Sequence, residues 1–92
     1  MTTVTKPLFE RELGNILSFI AADSPDRAVR FRDALRQNLD ALPHFPYKFR
    51  QSIHHHDPQV RDYIFKGYTI PYLIDEAKSV IVVLDIFKWS QR

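Results

Sequence analysis

The run Ser52-Ile-His-His-His-Asp-Pro sets three consecutive histidines, His54 to His56, beside Asp57, side-chain types that bind zinc or carry protons. In an extended segment successive side chains point to opposite sides, so only the outer two, His54 and His56, can share an ion with Asp57. Zinc takes three or four ligands with hydrogen-bonded support behind them. Apart from His44 the chain holds no other histidine, and it holds no cysteine. The spacing fits no ligand pattern, and the run reads as a solvated loop closed by Pro58, with no metal site.

The cations form the second constellation. Arg61, Lys66, Lys88 and Arg92 each fall on or beside a β-rich segment, and Trp89 follows Lys88 directly. Such a set suits phosphates or the carboxylates of a peptide partner, with the indole able to stack on a base. The same residues also read as solubilising edge positions that discourage sheet-to-sheet aggregation and, being exposed, contribute little to stability. Other chemistry is poorly represented. Without cysteine there is no thiol nucleophile, and the only glycines, Gly14 and Gly67, lie too far apart to form a phosphate loop or a dinucleotide turn. Glu10 and Glu12 are spaced to point apart on a helix, so no paired-carboxylate site is indicated. No cofactor is expected.

The elements that must position these side chains change period at Pro43. Before it, Leu13, Ile16, Leu17 and Ile20 recur at helical spacing, with Thr5 and Pro7 as start signals. Ser24, Pro25 and Asp26 then supply an N-cap, a first-turn proline and an acid at the positive end of the dipole, so a second helix begins there. Its apolar face runs through Ala28, Phe31, Leu35, Leu39 and Leu42, and Pro43 ends it. After Pro43, "VRDYIFK", "YTIPYLID" and "SVIVVLDIFKW" read as three antiparallel strands separated at Lys66–Gly67 and Asp75–Ser79. Pro71 donates no ladder hydrogen bond and calls for an edge position or a bulge. The β-branched "TTVT" near the start is compatible with a further short strand. The helices are expected to cover one face of the sheet and leave the other free.

At 92 residues the chain is expected to be one domain, residues 1–92, with a single core. Its 45% hydrophobic and 26% charged residues are globular proportions. The net charge of +2 lies wholly after Pro43, where seven Lys and Arg face five Asp and Glu, a hint of an anionic partner. The start lacks a basic stretch followed by an apolar one, and no apolar run nears the ~20 residues that span a bilayer, so a cytoplasmic location is expected.

The order of elements, the phrase "ILSFIAADSPDRAVRFRDALRQNLDALPHFP" and then "VRDYIFKGYTIPYLIDEAKSVIVVLDIFKWSQR" resemble the ParE/RelE superfamily of toxins from bacterial type II toxin–antitoxin modules, often labelled plasmid stabilisation proteins. The likeness covers nearly the whole chain. It implies an α+β fold in which a short first strand at Thr2 to Thr5 and a two-helix hairpin pack with an antiparallel-rich sheet, in the order β-α-α-β-β-β. It also implies a tight complex with a cognate antitoxin. Within the superfamily, RelE-like members are similar to ribosome-dependent mRNA nucleases that use several basic residues and a Tyr or His near the C-terminus. Here Arg61 matches the strand arginine, Lys88 stands where relatives place a histidine, and no tyrosine follows Tyr72. Arg61 and Lys88 would be catalytic only in that reading, and a lysine of ordinary pKa is a poor general base. ParE-like members, linked to inhibition of DNA gyrase, need no nuclease residues. The resemblance therefore leans to a ParE-like toxin, neutralised by its antitoxin and not an enzyme. Arg61, Lys66, Lys88, Trp89 and Arg92 would contact target or antitoxin, with DNA gyrase, or else the ribosome and its mRNA, as target.

Overall fold

The computed structural model describes residues 1–88. A first strand, β1 (Thr2–Thr5), leads into helices α1 (Pro7–Asp23) and α2 (Pro25–Ala41). A 3₁₀ turn at Leu42–His44 and a long loop follow, then strands β2 (Val60–Phe65), β3 (Tyr68–Asp75), β4 (Val80–Val83) and the short β5 (Phe87–Lys88).

Local chemistry explains the helix ends. The Ser24 hydroxyl accepts the Arg27 backbone N–H at 3.3 Å, and Pro25 occupies the first turn. The α2 positions expected to be apolar-facing, Ala28, Phe31, Leu35 and Leu39, are all buried, as is Leu42 just beyond. Thr5 does not cap α1. Its hydroxyl donates to the Glu10 carboxylate, which also takes both guanidinium nitrogens of Arg36, at 2.6 and 2.9 Å, and so ties α1 to α2.

The sheet order is β1-β4-β3-β2. β2, β3 and β4 form an antiparallel meander, while β1 runs parallel to β4 from Thr2↔Val80 to Thr5↔Val83. Lys66 and Gly67, at φ of 50° and 86°, make the two-residue β2–β3 turn, the positive-φ pair that a tight hairpin requires. The segment expected to be one last strand is divided. β4 pairs with the second half of β3 and β5 with its start, Thr69↔Phe87 and Tyr68↔Lys88. Pro71 sits opposite the break: its carbonyl accepts the Leu84 N–H at 2.9 Å, and residues 84–86 make no ladder where its missing donor would be needed. A central strand thus accommodates proline through a bulge in its neighbour.

Phe9, Leu13, Phe31, Leu35, Ile70, Tyr72, Ile74, Ile81 and Val83 fill the core between the helices and one face of the sheet. The opposite face is not wholly free as expected. Thr69, Pro71 and the carboxylate of Asp62 are buried there, and the His54 ring meets Phe87 edge-on at 5.5 Å. Among the described residues no helix is long and apolar enough to cross a membrane.

Candidate functional site

The four cations and one indole singled out by their chemistry do not form one cluster. Trp89 and Arg92 lie outside the described residues. Lys88 pairs with Tyr68 from β5, while Lys66 stands at the β2–β3 turn, beside Phe65, the residue that pairs with Tyr68 across the hairpin. The Lys88 ammonium stands 5.7 Å from the centre of the Tyr68 ring and the Lys66 ammonium 5.5 Å from that of Phe65. Phe31 braces both rings from α2, edge-on to Phe65 at 5.3 Å and to Tyr68 at 5.6 Å. Each cation over a ring face is worth about 0.5–1 kcal/mol at an exposed site, so the lysines are oriented without being neutralised.

Tyr68 also lines an open groove of about 310 Å³ between α1 and β5, with Ile16, Phe19, Ile86 and Phe87, and with Glu12, Asn15 and Lys88 as its polar members. Phe19 is 79% exposed, the most exposed large apolar side chain of the described chain. A solvent-facing phenylalanine beside Tyr68, Lys88 and Glu12 offers apolar area with both signs of charge at its edge. The sequence carried a signal for Phe19 that helical periodicity alone passes over: it falls off the stripe of Leu13, Ile16, Leu17 and Ile20, where a polar residue is the ordinary occupant.

Arg61 lies elsewhere. It pairs with Tyr72, four residues along β3 from Tyr68, a separation of roughly 13 Å on a strand. Its guanidinium donates to the Phe49 carbonyl at 3.1 Å and the Pro58 carbonyl at 3.2 Å, and it lies 5.1 Å from the centre of the Tyr47 ring. This corrects the expectation of an exposed residue that adds little to stability: Arg61 straps the loop between Pro43 and β2 onto the sheet. Tyr72 secures the same loop by donating its hydroxyl to the Pro46 carbonyl at 2.7 Å. Burial pushes its phenol up to about 12, with the Arg61 charge opposing and the Asp62 charge reinforcing.

The histidines are not gathered round a common point. His54 packs on Phe87, and the Nδ1 of His55 lies 3.1 Å from the Ser52 hydroxyl. Among the described residues no three His, Asp or Glu side chains are grouped to hold a metal ion.

This fold and surface have recognisable relatives. Residues 4–92 match the model of the ParE toxin of type II toxin–antitoxin systems, parDE. The chain belongs to the ParE toxin family. Its ParE-like backbone is similar to a solved structure described as the chromosomal ParDE toxin–antitoxin system from P. aeruginosa, with a TM-score of 0.75 at 14% sequence identity, over 96% of this chain and 95% of that one. At that identity the structural likeness speaks for the fold, two helices with a mostly antiparallel sheet. No curated protein sequence matches the chain.

Proposed function

We propose that this ParE family member stops bacterial growth by acting on DNA gyrase, and that a cognate antitoxin neutralises it by binding directly over the Tyr68 groove. The whole chain, residues 1–92, works as one toxin domain in the cytoplasm. The observation that carries this reading is the open aromatic groove around Tyr68, edged by Lys88 and Glu12, on a chain of the ParE family. Lys66 and Lys88 supply charge-assisted hydrogen bonds to acidic groups on target or antitoxin, and Phe19 and Tyr68 supply apolar area. Trp89 and Arg92 are assigned to the same role on chemical type alone.

The placement of Arg61 argues against mRNA cleavage of the RelE type. A nuclease needs its basic groups converging on one phosphate, whereas Arg61 is held by the Phe49 and Pro58 carbonyls, away from the Tyr68–Lys88 pair. Inducing the chain in bacteria with and without its antitoxin tests the reading. Growth arrest with accumulating DNA breaks, relieved by the antitoxin, is expected; arrest with intact DNA and fragmented mRNA would reject it.

A further inference from the structure

The loop between Pro43 and β2 crosses the sheet face that the helices leave uncovered. Residues 50–52 first run beside β2: Gln51 bridges to Arg61, the Asp62 N–H donates to the Arg50 carbonyl at 3.0 Å, and the Ser52 N–H donates to the Val60 carbonyl at 2.8 Å. Arg50 therefore stands opposite Asp62, whose carboxylate is fully buried and has no hydrogen-bond partner at either oxygen among the described residues. The Arg50 guanidinium lies 3.7 Å away and offsets that charge, which anchors this end of the loop to the face.

Ser52, which is buried, redirects the chain toward β5. Its hydroxyl oxygen accepts the His54 backbone N–H at 3.2 Å and stands 3.1 Å from the Nδ1 of His55, so residues 52–55 are held locally as they cross. The His54 ring then meets Phe87 edge-on, with ring centres 5.5 Å apart.

Phe87 is also a wall of the Tyr68 groove, as is Lys88. Both belong to β5, which is two residues long and is cut off from β4 by the bulge at residues 84–86. Odd-numbered residues of β3 turn their backbone groups toward β4 and β5, as the bond from the Leu84 N–H to the Pro71 carbonyl shows. Thr69↔Phe87 is therefore the pair that exchanges ladder hydrogen bonds, and Tyr68↔Lys88 is not. So short a ladder opens readily unless side chains hold it. Ile86, buried in the core, secures β5 on the helix side, and His54 covers Phe87 from the other.

We propose that residues 50–54 form a strap in which His54 keeps Phe87 paired with Thr69 and so holds Lys88 in register with Tyr68 at the groove. This rests on the reading of that groove as the surface that engages gyrase. It makes His54 a positioning residue, acting through Phe87, and gives the first member of a histidine run that holds no metal a use.

The test compares the full chain with His54→Ala, with His54→Phe, which keeps an aromatic edge on Phe87, and with His56→Ala at an exposed neighbour as control. Amide hydrogen exchange at Phe87, melting temperature and inhibition of gyrase supercoiling are measured on each. His54→Ala is expected to speed exchange at Phe87 about threefold to tenfold and to weaken inhibition by a similar factor, with the melting temperature unchanged and the other two variants like the parent. Parent-like exchange and inhibition in His54→Ala overturn the inference and leave the gyrase reading intact. Faster exchange with undiminished inhibition confines His54 to packing and overturns it too. A parent that leaves gyrase untouched rejects the gyrase reading, and with it the role of the strap at the groove, while exchange at Phe87 still decides whether His54 holds β5.

Discussion

The Arg61 guanidinium holds the Phe49 carbonyl at 3.1 Å, joining the first residue pairs of β2 to a loop twelve positions earlier in the chain. The same side chain takes Pro58, while the backbone N–H of Asp62 donates to Arg50 at 3.0 Å and that of Ser52 to the Val60 carbonyl at 2.8 Å. The long loop is thus an extra layer on the sheet edge. Arg61→Ala removes two charge-assisted bonds and leaves carbonyls unpaired, a loss of about 1.5–3 kcal/mol. A denaturant melt checks this, and a parent-like midpoint would mean that the strap is dispensable.

Phe31 should be costlier. It is 7% exposed and braces Phe65 and Tyr68, so Phe31→Ala opens a cavity beneath the groove and is expected to cost ~3–5 kcal/mol, much of the stability of a domain this size. Thermal unfolding of the variant is the measurement. An unchanged transition would remove the helix-on-sheet core.

The helix layer was legible because its signals are local. Ser24, Pro25 and the spacing of Phe31, Leu35 and Leu39 act within a few residues, as does the Lys66–Gly67 turn. The parallel pairing of β1 with β4 was not legible from the residues, since "TTVT" carries no mark of which strand it will meet some eighty positions later. The same limit hid the role of Arg61. A strand arginine looks alike in sequence whether it faces solvent or a folded-back loop, and only the long-range contacts separate the cases. Lys66 and Lys88 stand out in the sequence by type, whereas Phe19 and Tyr68, which line a groove with Lys88, are marked only by exposure and contacts that periodicity does not report.

The Glu10–Arg36 pair gives an acid-side prediction. Hydrogen bonding from Arg36 holds the Glu10 carboxyl below the usual carboxylate range, against the opposing effect of burial. A lowered folded-state pKa stabilises above the unfolded value of 4.5, and that stabilisation disappears as pH falls through the folded value. Both side chains are over 40% exposed, so screening limits the effect to about 0.5–1 kcal/mol. Glu10→Gln should lower the melting temperature at pH 7 and leave it unchanged near pH 3. An equal loss at both pH values would show that the charge is irrelevant.

Tyr72 gives the alkaline counterpart. Its phenol is raised from 10.0 to about 12 by burial, so the neutral form stabilises the fold fully below pH 10 and the benefit is lost as pH climbs through 12. Tyr72→Phe should cost ~1 kcal/mol at neutral pH, through the Pro46 carbonyl left without its donor, and should make stability flatter between pH 10 and 12. Urea melts across that range check it, and a variant with the parent's alkaline slope would place the titration on another group.

The central claim is that the Tyr68 groove with Lys88, and Lys66 at the adjoining hairpin turn, engage gyrase. The most direct measurement gives the purified chain to DNA gyrase with plasmid in one tube and to ribosomes programmed with mRNA in another, beside Lys66→Ala and Lys88→Ala. The account predicts that the parent blocks supercoiling or traps broken DNA, that both variants lose this while melting like the parent, and that the mRNA stays whole. Cleaved ribosome-bound mRNA beside gyrase working at its normal rate would contradict it.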